Sequence, residues 1–278
     1  MIPQIMGILN VTPDSFSDGG RYVDLDAAVT QARRLVDEGA SFVDVGGEST
    51  RPGAAPVSID EELARVVPVI EAITALDGFG ARISVDTRRA EVARAAVAAG
   101  ASVINDVSAS LWPVAADLGV GWVAMHMQGE PCSMQDDPTY VDARTEVYDF
   151  LTERAATAHS AGVAEVWVDP GFGFGKSLDH NLELVAGIGD LVDRGTPVLL
   201  GVSRKKSLGV LTARADGLGA DVVSPPSDRL EMGVALATWA MMAGAQIIRA
   251  HDVRPHVEAA LAVAAARSNT PTPAVAGN

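Results

Sequence analysis

Polar residues suited to ligand binding follow short apolar runs at several points in the chain. Asp86 follows Ile-Ser-Val, Asn105 follows Val-Ile, and Asp169 follows Trp-Val. A carboxylate accepts two parallel hydrogen bonds from an N–H pair, and an asparagine both donates and accepts. This combination suits a heterocycle rich in N–H groups, such as a pterin or a guanine. The alternative for Asp86 and Asp169 is a structural role in the interior, and Asp44, in the middle of an apolar run, is assigned to internal hydrogen bonding.

A second group of residues is cationic and predicts an anion site. Arg249 and His251 follow an Ile-Ile run and are spaced i and i+2, so in a strand they face the same side. Ser203-Arg-Lys205 ends another apolar run, and Asn10 and Arg51 follow the first two. An arginine fork matches phosphate oxygens, and histidine adds a donor. The alternative is that Arg249 and His251 only cap the rim of the fold.

The stretch Asp169-Pro-Gly-Phe-Gly-Phe-Gly-Lys-Ser177 has the composition of a nucleotide loop but not its spacing. A P-loop requires glycine five residues before Gly175, where Pro170 stands. We expect instead a turn whose backbone approaches a flat ligand, with Phe172 or Phe174 against the ring and one of the two packed structurally.

Other chemistries lack a recognisable pattern. The histidines do not have metal-ligand spacing, and His126 is expected to be a packed or hydrogen-bonded residue. There is no motif that pairs a nucleophile with a base, so acyl transfer through Ser or Cys is disfavoured.

The apolar runs define the elements that must position these residues. Eight short strands alternate with helical patterns, which predicts a single (β/α)8 TIM barrel with its active site at the carboxyl ends of the strands. Long, polar βα loops 1 and 2, Thr12–Val23 and Glu48–Ser58, are expected to lie over the C-terminal face as lids or ligand clamps. The predicted strands are Ile5–Asn10, Phe42–Val45, Ile83–Asp86, Val103–Asn105, Trp122–His126, Trp167–Asp169, Val198–Ser203 and Ile247–Arg249.

Capping and breaking residues bound the helices. Ser58 and Glu61 have capping-box spacing, and Pro68 predicts a kink. The barrel is assigned to residues 1–267 and a disordered tail to 268–278. The predicted helices span 24–39, 58 onward, 89–99, 111–119, 140–161, 178–194, 228–243 and 253 onward, with a loop at 213–226.

Composition excludes several function classes. The 278 residues are 48% hydrophobic and carry a net charge of −15, which disfavours nucleic acid as a partner. No apolar run reaches the length of a membrane span, so no membrane partner is expected. The single cysteine, Cys132, and an N-terminus that leads directly into a strand predict a cytoplasmic protein.

Eight segments together resemble the dihydropteroate synthase family, and the resemblance covers almost the whole chain. The first two are long and specific. The segments are 7–20 (GILNVTPDSFSDGG), 43–53 (VDVGGESTRPG), 84–87 (SVDT), 104–106 (IND), 125–129 (MHMQG), 169–176 (DPGFGFGK), 203–205 (SRK) and 249–251 (RAH).

The resemblance implies a transferase that joins 6-hydroxymethyl-7,8-dihydropterin diphosphate to p-aminobenzoate and releases pyrophosphate, with Mg²⁺ as cofactor. It implies a homodimer, and the ordinary residues at 50–52 favour sulfonamide sensitivity. The pterin would be held by Asp86, Asn105, Val107, Met125, Asp169, Gly201 and Lys205. The diphosphate would be held by Asn10, Arg51, Arg249 and His251, with Asn10 near the metal ion. Thr50, Pro52, Phe174 and Ser203 would line the p-aminobenzoate site. The catalytic set would be Phe16, Asp18, Arg51, Lys205, Arg249 and His251, with Phe16 and Asp18 on a closing loop.

Two other functions remain open on the sequence. A pterin-dependent methyltransferase barrel shares the Asp and Asn pterin site but does not need the anion site. A non-catalytic paralogue would bind pterin only. Binding of pyrophosphate would discriminate against the first, and turnover against the second.

Overall fold

Eight parallel strands form the centre of the molecule in a computed structural model that describes residues 2–12, 25–49, 56–130, 133–219 and 221–268. Their order around the sheet is β6-β5-β4-β3-β2-β1-β8-β7. A parallel bridge between Val168 and Val198 joins β6 to the residues before β7, so the predicted barrel is confirmed. The strands are β1 Gln4–Asn10, β2 Phe42–Gly46, β3 Arg82–Asp86, β4 Val103–Asp106, β5 Gly121–Met125, β6 Val166–Asp169, β7 Leu199–Leu200 and β8 Ile247–Ala250.

The barrel interior is built in layers. A cluster of buried side chains from seven strands, separate from the main core, forms the lowest layer: Met6, Phe42, Val103, Val123, Trp167, Leu199 and Ile247. Side chains two residues further along a strand face the same side. The next layer towards the carboxyl ends therefore holds Ile8, Asp44, Asn105, Met125, Asp169, Gly201 and Arg249, with Ser84 of β3 in register with Asp44. The polar chemistry thus rests directly on an apolar floor.

Helices surround the sheet and bury its outer face in the main core. Ser58 accepts a hydrogen bond from the Glu61 N–H, while the Glu61 carboxylate pairs with Arg65, so the capping interaction is formed from the Ser58 side. The helices are α1 Leu25–Asp37, α2 Ile59–Thr74, α3 Ala90–Ala99, α4 Trp112–Leu118, α5 Ala143–Ser160, α6 Leu178–Ala186, α7 Ile188–Val192, α8 Lys206–Ala215, α9 Leu230–Ala243 and α10 Val253–Ser268, with a 3₁₀ turn at Pro226–Asp228.

Three predictions for the elements were wrong. The helix predicted over 178–194 is two helices, which meet at Gly187. A Cβ at Gly187 would lie 2.5 Å from Cδ of Arg144, so α5 packs close against this break. The loop predicted from Ala213 begins later, because α8 continues to Ala215. The strand predicted over 198–203 contains only Leu199 and Leu200 in the ladder.

Several sequence predictions fall outside the described residues. They concern most of the loop at 12–23, residues 50–55 of the second loop, Cys132 and the tail beyond Ser268. Within the described ranges, no helix combines the length and the apolar character that a bilayer crossing requires.

Candidate functional site

The guanidinium of Arg249 lies between two carboxylates from neighbouring strands. Its Nε donates to Oδ2 of Asp44 and its Nη2 donates to Oδ2 of Asp86, each at 2.6 Å. Burial alone would lower the pKa of Arg249, but these two carboxylates raise it above the usual value. Burial raises the pKa of Asp86 to about 7; Arg249 opposes this shift and Asp44 adds to it. The sequence predicted Arg249 at an anion site. In the structure Arg249 also binds Asp86, which the sequence assigned to the heterocycle.

Asp169 occupies the opposite wall of the barrel, where β6 ends. Its Oδ1 accepts the Gly171 N–H at 2.7 Å, and a Cβ on Gly201 would lie 3.8 Å from its Oδ2. Gly201 therefore leaves room beside this carboxylate. Burial raises the pKa of Asp169 to about 6, against the opposing effects of the Gly171 N–H and Lys205.

Lys205 and Phe174 meet at the mouth of the barrel. The Lys205 Nζ lies 3.8 Å from the centroid of the Phe174 ring, the geometry of a cation–π contact. Burial and Arg249 lower the pKa of Lys205 to about 8, whereas Asp169 and Asp86 raise it. The ammonium thus lies among groups of both signs, next to an aromatic face.

A small apolar cluster at the mouth is separate from the main core. It consists of Val107, Met125, Met134 and Phe174, with Met127 packed against it.

The loop that carries Val107 is held by Asp106. The Asp106 carboxylate accepts hydrogen bonds from the backbone N–H groups of residues 108, 110 and 111 and from the indole of Trp122. The short connection after β4 is therefore well ordered by a single carboxylate, and it presents an apolar wall to the mouth.

The glycine-rich turn of residues 170–176 packs tightly on the segment after β5. A Cβ at Gly171 would lie 1.8 Å from the carbonyl oxygen of His126, and Gly171 has φ +68°. Only glycine fits this position. Of the two phenylalanines in the turn, Phe172 lies in the main core, which confirms the structural packing predicted for one of them, and Phe174 belongs to the apolar cluster at the mouth.

A buried lysine fastens this turn. Lys176 is 2% exposed, and its Nζ contacts the Phe174 carbonyl at 2.9 Å, the His126 Nδ1 at 3.0 Å and the His126 carbonyl at 3.2 Å. Burial lowers the pKa of Lys176 to about 7, and burial together with the Lys176 charge lowers the pKa of His126 to about 3. His126 is therefore a hydrogen-bonded structural residue, as expected, while the role of Lys176 was missed.

Ser203 and His251 form a pair at the ends of β7 and β8. The Ser203 Oγ accepts the backbone N–H of His251 at 3.2 Å and lies 3.1 Å from the His251 Nδ1. When the hydroxyl donates to Nδ1, the ring proton is on Nε2. Arg204, which follows Ser203, adopts φ +59°, and its guanidinium pairs with Asp252, which follows His251.

The side chain of Arg89 connects the two described ends of the second βα loop. Arg89 donates to Glu48, at one end, and to the carbonyl of Val57, at the other. It also pairs with Glu62, which is fully buried and whose pKa is raised by burial. Thr50, Arg51 and Pro52 lie outside the described residues, as do Phe16 and Asp18.

Asn10 ends β1 beside β2. A Cβ on Gly46 would lie 3.8 Å from the Asn10 Oδ1 and 3.7 Å from the Asp86 Oδ2, so these two oxygens flank Gly46. In the described part of the chain, no group of three or more His, Cys, Asp or Glu side chains could hold a metal ion.

Sequence reasoning assigned Asp44 to internal hydrogen bonding, which the structure confirms. It did not identify the partners of Asp44, which are Asn105 and Arg249. The available signal was periodicity: Asp44 is in phase with Phe42 and with Gly46, and all three face the interior.

The mouth of the barrel therefore combines acceptor side chains for an N–H-rich ring, an apolar wall and convergent cations. A barrel with this site falls in the class of pterin-binding enzymes, and the family model described as "Pterin binding enzyme" matches residues 6–251. Dihydropteroate synthase of Escherichia coli K12 is 46% identical over 272 residues, which cover 96% of this chain and 92% of that protein.

Solved structures agree with this result. The Yersinia pestis dihydropteroate synthase in complex with a sulfonamide drug superimposes with a TM-score of 0.84 at 45% identity, covering 96% of this chain and 95% of that one. The Xanthomonas albilineans enzyme in complex with 7,8-dihydropteroate gives a TM-score of 0.82 at 43% identity, with 97% and 95% covered. The chain belongs to the dihydropteroate synthase family, which are transferases of folate synthesis.

Proposed function

We propose that the chain condenses 6-hydroxymethyl-7,8-dihydropterin diphosphate with p-aminobenzoate to give 7,8-dihydropteroate and pyrophosphate, with its substrates held at the mouth of the barrel. The observation that carries this assignment is the layer of acceptors above the apolar floor, Asp86, Asn105 and Asp169, next to the cations Lys205 and Arg249. These groups match a ring rich in N–H groups that bears an anionic substituent.

The pterin occupies the deepest position in this proposal. Asp86 and Asp169 accept its ring N–H groups from opposite walls, and Asn105 accepts from a third side. Lys205 donates to the ring, and Gly201 leaves space beside Asp169. Val107 and Met125 supply the apolar contacts that a flat ring requires.

The diphosphate is placed towards β1 and β8. Arg249 and His251 provide charge and a donor from β8, Arg51 is assigned to the same group, and Asn10 lies at the end of the adjacent β1. Since two Arg249 donors are committed to Asp44 and Asp86, Arg249 acts in this proposal as a fixed positive charge near the departing group.

Mg²⁺ fits this region as a substrate-held ion. It binds proteins through one or two oxygen ligands and takes others from phosphate and water. The Asn10 Oδ1 is such an oxygen, and the Asp86 carboxylate is nearby across Gly46. When bound, Mg²⁺ neutralises part of the diphosphate charge.

The p-aminobenzoate site is assigned to the outer part of the mouth. Phe174 supplies a ring face, Ser203 supplies a hydroxyl, and Thr50 and Pro52 are assigned to the same pocket. Phe16 and Asp18 are assigned to the loop that excludes water during reaction. We expect a sulfonamide to compete for this pocket.

The reaction is proposed to be dissociative. The bond between the pterin methylene carbon and the diphosphate oxygen breaks first, and the electron pair leaves with pyrophosphate. The ring delocalises the cation, and Asp86 and Asp169 hold the ring in place. The p-aminobenzoate nitrogen then forms the new C–N bond, and its proton passes to the released pyrophosphate. No covalent nucleophile is needed; the residues position the substrates and stabilise charge.

We also propose a homodimer acting in the cytoplasm. Trp239 and Met242 on α9 and Leu261 on the neighbouring α10 are exposed apolar side chains suited to a subunit contact, whereas Met241 is buried in the core. The cytoplasmic assignment rests on the single cysteine.

A coupled assay tests the function. Purified protein is mixed with the pterin diphosphate, p-aminobenzoate and Mg²⁺, and pyrophosphate and dihydropteroate are followed. Formation of both is expected. Pyrophosphate alone would mean that the p-aminobenzoate pocket does not work. If no product forms, the assignment is overturned in favour of a protein that only binds pterin.

A further inference from the structure

Asp44 is a charged residue with no exposed surface, in the middle of β2. It lies directly above Phe42 of the apolar floor, and its register neighbours are Ile8 and Ser84. A carboxylate is costly to bury unless its hydrogen bonds and charge partners compensate for lost water. The partners of Asp44 therefore indicate its role.

All the hydrogen bonds that Asp44 makes with described residues involve the same oxygen atom. Oδ2 accepts from Nδ2 of Asn105 at 2.9 Å and from Nε of Arg249 at 2.6 Å, while Oδ1 has no partner in the described part of the chain. A single atom thus connects the residue assigned to the pterin with the residue assigned to the diphosphate.

The contact with Asn105 fixes the direction of an amide. An ionised carboxylate can only accept, so the Asn105 amide must point its NH₂ group towards Asp44. The Asn105 Oδ1 is then the atom that the side chain offers elsewhere. Asn105 therefore acts as an acceptor towards the ligand, like Asp86 and Asp169, although asparagine can serve either role.

The contact with Arg249 fixes the direction of a guanidinium. Nε is bound to Asp44 and Nη2 to Asp86, which sets the plane of the group from two neighbouring strands. A planar fork held at two of its nitrogens has little rotational freedom.

We propose that Asp44 is a positioning residue for the pterin diphosphate: it makes Asn105 a hydrogen-bond acceptor towards the ring and holds Arg249 in the orientation used for the departing group. This proposal rests on the proposed function. Asp44 does not touch the substrate in it and acts through Asn105 and Arg249.

The decisive experiment exchanges the two partners. In Asn105→Asp, two carboxylates face each other without a proton donor between them, and we expect the Kd for the pterin diphosphate to rise about 30-fold or more. Adding Asp44→Asn restores an N–H···O bond of reversed direction while residue 105 still presents an acceptor. Because the amide nitrogen introduced at position 44 then takes the place of the oxygen that also accepts from the Arg249 Nε, the recovery should be partial. We expect the Kd of the double variant, measured by calorimetry, to lie at least about 3-fold below that of Asn105→Asp and above the wild-type Kd.

Two single variants complete the set. Asp44→Leu removes both hydrogen bonds and should raise the Kd about 30-fold or more. Asp44→Asn can still accept both bonds through its carbonyl oxygen and should bind better than Asp44→Leu at pH 8. Asp149→Asn, which removes an exposed carboxylate paired with Arg194, is the matched control and should leave the Kd unchanged.

The pH profile separates positioning from simple loss of structure. The groups facing Asp86 are Arg249, Asp44, Glu62 and Lys205, and the Asp44 charge helps to raise the pKa of Asp86. In Asp44→Asn the pKa of Asp86 should fall, so that pterin binding persists to lower pH than in the wild type. A purely structural defect would weaken binding equally across the pH range.

The outcomes are distinguishable from those of the assay for function. A double variant no better than Asn105→Asp, or Asp44→Leu with wild-type affinity, would overturn the role of Asp44. If Asp44→Leu does not fold, the exchange of partners still decides. Wild-type protein that binds the pterin diphosphate without turnover would contradict the proposed function and leave the positioning role standing; wild-type protein that does not bind it would overturn both.

Discussion

The Lys205 ammonium lies over the face of the Phe174 ring, 3.8 Å from its centroid. Lys205 is assigned to the pterin and Phe174 to p-aminobenzoate, so this contact joins the two proposed pockets. It also places a positive charge with a lowered pKa at the boundary where the new bond would form.

Phe174→Leu should therefore weaken p-aminobenzoate binding. Leucine keeps an apolar surface but removes the ring face against which the p-aminobenzoate ring would pack, and an aromatic pair is worth about 0.5–1.5 kcal/mol, or roughly 2- to 13-fold. We expect the KM for p-aminobenzoate to rise within this range, as measured in steady-state kinetics. Phe172→Leu, in the main core, is the matched control: it should lower the free energy of unfolding and leave this KM unchanged. Equal KM values for the wild type and Phe174→Leu would contradict the pocket.

Asp169→Asn should weaken pterin binding. The variant replaces a charge-assisted acceptor that faces the mouth, and we expect a loss of roughly 1.5–3 kcal/mol in binding free energy. Calorimetric titration with the pterin diphosphate measures it. Asp117→Asn, at an exposed ion pair with Arg94, controls for loss of one charge. Near-normal affinity of Asp169→Asn would remove Asp169 from the site.

Pterin affinity should fall as the pH is lowered below about 7. Burial raises the pKa of Asp86 to about 7 and that of Asp169 to about 6, and protonation leaves a neutral carboxyl group that accepts more weakly from a ring N–H. An unperturbed carboxylate would cause this loss only near pH 4. The measurement uses 6-hydroxymethyl-7,8-dihydropterin, which lacks the titrating diphosphate. A Kd independent of pH between about 5.5 and 8 would be incompatible with these pKa values.

Lys176→Met should destabilise the fold. It leaves the carbonyls of Phe174 and His126 without their buried donor, at a cost of about 1–3 kcal/mol each, which urea unfolding detects. Lys206→Met, at an exposed position at the start of α8, is the control for loss of a lysine charge.

The same variant should also change how the free energy of unfolding depends on pH. Burial lowers the pKa of Lys176 to about 7, so between about pH 7 and 10.5 the unfolded chain holds a proton at this lysine that the folded chain does not. The Lys176 contribution to the free energy of unfolding should rise with pH across that interval, by up to about 1.4 kcal/mol per pH unit. The difference between the wild type and Lys176→Met should show this slope. A difference that does not change with pH would mean that Lys176 keeps an ordinary pKa.

The barrel and most of its polar layer could be predicted because both depend on local patterns. Apolar runs that end in Asn10, Asp86, Asn105 or Asp169 reveal the carboxyl ends of strands without knowledge of the fold. The break at Gly187 could not be predicted in this way, since it depends on the approach of Arg144 from α5. Asp44 was assigned by its position inside a run, and its pairing with Arg249 joins positions 205 residues apart in sequence, which no local pattern contains.

The apolar floor has a consequence for the order in which the substrates bind. That layer, which includes Met6, Phe42 and Trp167, fills the barrel beneath the carboxylates with apolar side chains. In the proposed arrangement both substrates reach the site from the mouth, and the pterin takes the inner of the two positions. A p-aminobenzoate molecule at Phe174 would stand in the path of an incoming pterin. With the pockets assigned in this way, binding is expected to be ordered: the pterin diphosphate binds first, and the product leaves before the next pterin can bind.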